Sequence, residues 1–265
     1  MNANRPIGIF DSGVGGISVL KHIHALLPHE DLIYLADSKH APYGNKTAQE
    51  ITQRCLILSD DLLRKNVKAI VVACNTATAA AIDALRETFD IPIIGMEPAV
   101  KPAAEASRNG VIGVLATVGT LKSAQFAALL ESYGRNVKVV TQACVGLVEC
   151  IERGELESPE TKTLVRQYCL PLLAEGADTI VLGCTHYPFL RPLIEEILLE
   201  QKVEKVVIID TGAAVAKQLQ KKLVDSNLLS ANKQADIGFW TNSEAGNAAQ
   251  VIEQLWGEKA VVKVL

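Results

Sequence analysis

The chain has 265 residues, of which 49% are hydrophobic, 21% charged and 5% aromatic. That composition excludes a disordered, collagen-like or coiled-coil chain, and the length suits one large α/β domain or two of ordinary size. Twenty-six basic against 30 acidic residues leave a net charge of −4, with no basic surplus to suggest a nucleic-acid partner.

Met1 to Pro6 is polar, and the apolar run Ile7–Phe10 is too short for a signal-peptide core, so it reads as a first strand. The loop after it, Asp11-Ser12-Gly13-Val14-Gly15-Gly16, leads into a helical pattern. Its glycines suit close backbone approach to a ligand, and the helix start offers N–H groups to a carboxylate or phosphate. It is neither a dinucleotide fingerprint, since Ser18 stands where a third glycine belongs, nor a P-loop. His22, His24 and His29 lie on or after this helix and read as surface residues.

A second strand is predicted at Leu32–Leu35, followed by the turn signal Pro42-Tyr43-Gly44, with Lys39 the nearest cation in sequence. Ile51, Cys55, Leu58 and Leu62 keep the spacing of a helix packed on a sheet. The strand Ala69–Ala73 ends in Cys74-Asn75-Thr76, and the stretch through Leu85 is too polar and too short to span a membrane. Further strands are expected at Ile91–Ile94, Val111–Leu115, Val137–Thr141, Thr179–Gly183 and Lys205–Ile209. Glu149 and Glu152 read as solvated charges. The tail carries a helix start at Thr211–Ala214, a strand at Ile237–Trp240, a helix from Ser243 to Leu255 and a strand at Ala260–Val264. Strand and helix in alternation predict parallel sheets with ligands at the carboxyl ends of the strands.

The chain also contains itself twice. A shift of 105 lays Ile7–Ser12 on Ile112–Thr117 and Leu32–Leu35 on Val137–Val140. A shift of 110 lays Ala69–Asn75 on Thr179–Thr185, and one of about 115 lays Ile93-Ile94 on Ile208-Ile209. Two similar three-layer α/β/α units related by a pseudo-twofold axis are expected, with the active site in the cleft between them. The first domain takes residues 1–97 plus 211–265, the tail completing it, and the second takes 98–210.

Six cysteines without an export signal are expected to stay reduced, and none has Cys-x-x-Cys spacing. Cys55, Cys144, Cys150 and Cys169 read as core. Cys74 and Cys184 fall at matching strand-to-helix junctions, where a helix N-terminus lowers a thiol's pKa. Two such groups on opposite faces of a substrate suit inversion of a carbon centre, one removing a proton while the other supplies one. That is racemase or epimerase chemistry without a cofactor. An amino-acid-binding clamshell and a thiol redox enzyme are the readings from other classes.

The set Asp11–Gly16, Pro42-Tyr43-Gly44, Cys74-Asn75-Thr76-Ala77, Glu97-Pro98-Ala99, Ala116-Thr117-Val118-Gly119-Thr120 and Gly183–Pro188 resembles the motifs of the cofactor-independent aspartate/glutamate racemase superfamily, in order and over nearly the whole chain. The resemblance implies interconversion of L- and D-glutamate, supplying D-glutamate for peptidoglycan in the cytoplasm. Aspartate or another acidic amino acid is the alternative substrate. It implies Cys74 and Cys184 as the acid/base thiols, assisted by Asp11 and His186. Substrate contacts would come from Asp11, Ser12, Tyr43, Gly44, Asn75, Thr76, Thr117, Thr120, Thr185 and His186. It implies no cofactor, no metal, no nucleic-acid or membrane partner, and it leaves a homodimer open.

Overall fold

The computed structural model describes residues 2–203, 205–232, 235–243 and 245–265. The first half alternates β1 (Ile7–Asp11), α1 (Ile17–Leu26), β2 (Leu32–Ala36), α2 (Ala48–Arg64), β3 (Ala69–Val72), α3 (Asn75–Thr88) and β4 (Ile93–Ile94). After α4 (Val100–Ala106) come β5 (Val111–Ala116), α5 (Val118–Leu121), α6 (Ala124–Tyr133), β6 (Lys138–Ala143), α7 (Leu147–Glu152), α8 (Pro159–Ala174), β7 (Thr179–Gly183), α9 (Arg191–Glu200) and β8 (Val207–Ile209). The tail supplies α10 (Gly212–Asp225), β9 (Ile237–Thr241), α11 (Ala245–Trp256) and β10 (Val262–Val264).

Every predicted strand is present, with no end moved by more than two residues. Pairing in β4 begins only at Ile93, because Pro92 has no N–H to give the ladder. Lys205 has a φ of +67°, outside the extended region, and β8 starts after it. The last helix begins at Ala245 instead of Ser243, and position 244 between them lies outside the described residues.

Two parallel sheets form. One runs β10-β9-β2-β1-β3-β4 and the other β6-β5-β7-β8, so the order 2-1-3-4 occurs twice. The tail adds its two strands to the β2 edge of the first sheet. Ile7 sits opposite Leu32 and Ala69, and Ile112 sits opposite Val139 and Thr179. The third strands therefore correspond at a shift of 110, as the sequence repeat indicates. The second strands correspond at 107 instead of 105, because Val139 and not Val137 takes the place of Leu32. A valine-rich strand matches itself two residues along, and a slip of two leaves each side chain on its original face.

The three layers follow from burial. In α2 the predicted stripe Ile51, Cys55, Leu58 and Leu62 is buried against one face of the first sheet, in one cluster with α3. A capping box between Thr47 and Glu50 starts that helix. α4 and α6 cover one face of the second sheet. The remaining faces share one continuous core with α1, α7, α8, α9, α10 and α11, so the two sheets are joined through packed side chains. No helix among the described residues is long and apolar enough to cross a membrane.

At the amino ends of the strands lies a buried ion pair. Lys68, fully buried, is hydrogen-bonded to Glu30 and to the carbonyl of Ala3, and Glu30 Oε1 accepts the Ser230 N–H at 2.8 Å. The pair ties the amino-terminal residues and the tail to the first sheet, opposite the end where the site forms. Removing one member leaves the other charge buried and unpaired. Lys68→Met is therefore expected to lower stability to urea by about 3–5 kcal/mol, and a loss below about 1 kcal/mol would show that the pair does not fasten this end.

Candidate active site

The carboxyl ends of both sheets face one cleft. Cys74 leaves β3 extended and caps α3, with the Ala77 N–H donating to its Sγ at 3.4 Å. Its thiol lies 3.7 Å from Ser12 Oγ in the loop after β1. Cys184 follows β7 but caps no helix, contrary to expectation: a 3-10 turn over Tyr187–Leu190 precedes α9, and the Cys184 Sγ lies 3.6 Å from His186 Nδ1. The cleft is lined by Ser12, Pro42, Tyr43, Gly44, Cys74, Asn75, Thr76, Thr117, Val148, Cys184, Thr185 and His186. Asp11 and Thr120 stand behind this lining, each bonded to residues in it.

Asp11 is completely buried. Its Oδ1 accepts the Ser12 N–H at 2.7 Å, and its Oδ2 accepts the Gly16 N–H at 2.6 Å and the Thr185 hydroxyl at 3.3 Å. A second cross-link between the halves is a hydroxyl cluster, in which Thr76 Oγ1 lies 2.9 Å from that of Thr117 and 3.2 Å from that of Thr120. Thr117 also caps α5 by accepting the Thr120 N–H at 3.1 Å. The Asn75 amide is buried with neither its nitrogen nor its oxygen partnered. A buried amide in that state is costly unless something entering the cleft satisfies it.

Three further expectations are corrected. Glu152 is not a solvated charge: its Oε1 lies 2.6 Å from His186 Nε2 and accepts the Val14 N–H at 2.8 Å. It completes a chain from Cys184 through His186 to the loop after β1. Nor do the glycines of that loop hold space for a ligand. A Cβ on Gly13 would fall 1.9 Å from Glu152 Oε1, and one on Gly15 would fall 2.3 Å from His186 Nδ1. These glycines admit side chains of the other half, and the N–H groups of Val14 and Gly16 go to Glu152 and Asp11.

The third correction concerns the thiol. Burial, and then the carboxylate of Asp11, push Cys74 well above the ordinary thiol value, outweighing the Ala77 N–H. Burial likewise raises the Asp11 carboxyl, and the His186 charge and the Gly16 N–H only partly oppose it. For His186 burial acts downward, yet its hydrogen bonds to Cys184 and Glu152 hold the ring well above its ordinary pKa. The site thus sets a protonated thiol beside a carboxyl, across from a sulfur paired with an imidazolium.

Tyr43 reaches the cleft, but its hydroxyl donates to Asp37, a buried carboxylate absent from the sequence reading. Arg54 of α2 grips Asp37 through Nε at 3.1 Å and Nη2 at 2.7 Å, His40 Nδ1 lies 3.0 Å away, and Asn242 from the tail also donates. This cluster fixes the Pro42–Gly44 turn against the cleft. Lys39 is exposed, and no Lys or Arg lines the cleft among the described residues. Cys55, Cys144, Cys150 and Cys169 are all buried. Cys150, Glu155 and Glu160 have metal-like proximity among the described residues, but Arg153 already lies among them, at 2.7 Å from Glu155 and 3.1 Å from Glu160.

Residues 7–219 match the family described as Asp/Glu/hydantoin racemase. The chain is 54% identical over 266 residues to the glutamate racemase of Ectopseudomonas mendocina, covering all of both chains. Among solved structures, a glutamate racemase isoform from Bacillus anthracis is similar with a TM-score of 0.89 at 33% identity, over 100% of this chain and 98% of that one. The Francisella tularensis glutamate racemase in complex with D-glutamate is similar with a TM-score of 0.85 at 29% identity, over 99% and 98%.

The electrostatics can be measured directly. The His186 ring, followed by NMR, is expected to titrate well above 6.5. Glu152→Gln should lower that midpoint by roughly 1–3 units, since it removes the carboxylate that favours the charged ring. An unchanged midpoint would mean that Glu152 does not hold the imidazolium.

Proposed function

The chain belongs to the Asp/Glu/hydantoin racemase family, and on that premise we propose that it interconverts L- and D-glutamate by proton transfer between two thiols at the α-carbon. The observation that carries this reading is the pair of cysteines at equivalent strand ends of two repeated sheets, lining one cleft, Cys74 interacting with Asp11 and Cys184 lying beside His186. Full-length identity to a bacterial glutamate racemase supports glutamate as the substrate.

In the proposed cycle, Cys184 acts first as the base. Its thiolate, beside the His186 ring at 3.6 Å, takes the α-proton, and the C–H electron pair stays on the α-carbon. Cys74, held as a thiol by burial and by Asp11, gives its proton to the opposite face. The product is the other enantiomer, with Cys184 as thiol and Cys74 as thiolate. The reverse reaction restores the first state, or protons return by way of Asp11 and His186. Glu152 acts through His186 and is a positioning residue.

The carbanion's charge needs fixed dipoles in a site that excludes water. Asn75, the hydroxyls of Ser12, Thr76, Thr117 and Thr185, and the start of α3 supply these and bind the substrate carboxylates. Thr120 and Tyr43 hold the contacting groups in place, and Gly44 lets the turn approach Thr117. The reading calls on no cofactor. D-glutamate made this way would serve bacterial peptidoglycan synthesis, in the cytoplasm.

Circular dichroism with L- or D-glutamate follows racemisation continuously. Cys74→Ala and Cys184→Ala should each lower kcat by roughly 10²–10⁴ or more, the range typical of general acid/base groups. Cys169→Ala, altering a buried core cysteine, should stay within about twofold, consistent with a role in packing alone. Full activity in either cleft variant would refute the two-thiol mechanism, and faster turnover of aspartate than glutamate would reassign the substrate.

A further inference from the structure

The space between the two thiols is only about 10 Å³, room for about one water. Next to it opens a groove of about 530 Å³, walled by Gly44 and Lys46 from the first half and by Gly119, Lys122 and Ser123 from the second. Gly44 and Thr76 line both spaces. Where Gly44 meets Gly119 the partition is a van der Waals contact, since a Cβ on Gly119 would lie 3.1 Å from Thr76 Cγ2 and 3.3 Å from the Gly44 carbonyl oxygen, and beside it the Thr76 hydroxyl is bonded to those of Thr117 and Thr120. Separating the Gly44 turn from α5, with the Thr76 hydroxyl giving up its bonds to Thr117 and Thr120, joins groove to cleft.

Charge distinguishes the two spaces. Behind the cleft walls the Glu152 and Asp37 carboxylates are already paired, with the His186 ring and with Arg54, and no Lys or Arg lines the cleft among the described residues. A molecule carrying two carboxylates therefore meets no lining Lys or Arg in the cleft to draw it in. The groove has two cations, one from each half, and neither Lys46 nor Lys122 makes an ion pair among the described residues. Lys46 acts on the exposed Glu50 only weakly, and that carboxylate is bonded to Thr47 in the capping box.

We propose that this groove is a vestibule that holds the acidic amino-acid substrate by its side-chain carboxylate, between Lys46 and Lys122, before it passes the Gly44–Gly119 seam to the thiols. The inference rests on the reading above that the substrate is glutamate. The lysines touch the substrate only on its way in, so they govern capture and not proton transfer.

The test compares wild type, Lys46→Gln/Lys122→Gln and Lys46→Arg/Lys122→Arg by circular dichroism with L-glutamate, at about 20 mM and about 500 mM NaCl, concentrations that span weak and strong screening. At low salt the Gln pair is expected to raise KM roughly tenfold, within the range of focusing by a charged cleft. Its kcat should change less than about twofold, because transition-state contacts are untouched. Salt should raise the KM of wild type and of the Arg pair, and leave that of the Gln pair nearly flat. A Gln pair with wild-type KM and salt dependence would overturn the vestibule while leaving the racemase reading intact, as would a loss confined to kcat. Wild type that fails to racemise glutamate at all would overturn both.

Discussion

Two carboxylates dominate this structure. Asp11, fully buried, and Glu152, partly buried, each need donors, because a carboxylate withdrawn from water without partners is costly. Part of what satisfies each comes from the opposite half of the chain. Asp11 takes the hydroxyl of Thr185, and Glu152 takes the backbone N–H of Val14. Neither half can assemble its share of the site alone. Gly13 and Gly15 serve this junction, since any side chain there would occupy the space of Glu152 or His186.

Duplication supplies two thiols at equivalent positions, yet the groups behind them differ. Cys74 is backed by a carboxyl and Cys184 by an imidazole. A two-sided proton transfer needs one sulfur to hold a proton while the other lacks one, and unlike partners bias the pair toward that state. Here burial and Asp11 keep Cys74 protonated, while His186, held charged by Glu152, stands beside Cys184. The repeat places the sulfurs, and departures from the repeat tell them apart.

The sheets were legible because parallel strands are short apolar runs, and internal comparison ordered them without any structure. Ser12, Cys74–Thr76 and Cys184–His186 in the cleft lining were legible for the same reason, since residues that follow repeated strands gather at one end of a sheet, whereas Pro42–Gly44 and Thr117 entered through the family resemblance and Val148 left no signal. Long-range polar contacts were not. Glu152 lies 34 residues from His186, Arg54 17 from Asp37, and Asn242 205 from Asp37. None of these pairs leaves a periodic trace. A thiol at a helix start is expected to be acidified, yet desolvation reversed that for Cys74, and burial depth is a property of the assembled protein. Residue identity also left the second-strand register two positions off, where one valine stands in for another.

The central claim is that two different groups act on opposite faces of one carbon. Deuterium distinguishes this most directly. With L-glutamate in heavy water at low conversion, the D-glutamate formed should carry deuterium at the α-carbon, and the remaining L-glutamate should carry none. The mirrored experiment from D-glutamate should give the mirrored result. Deuterium entering the recovered substrate as fast as the product would mean that one base serves both faces, and would contradict the account.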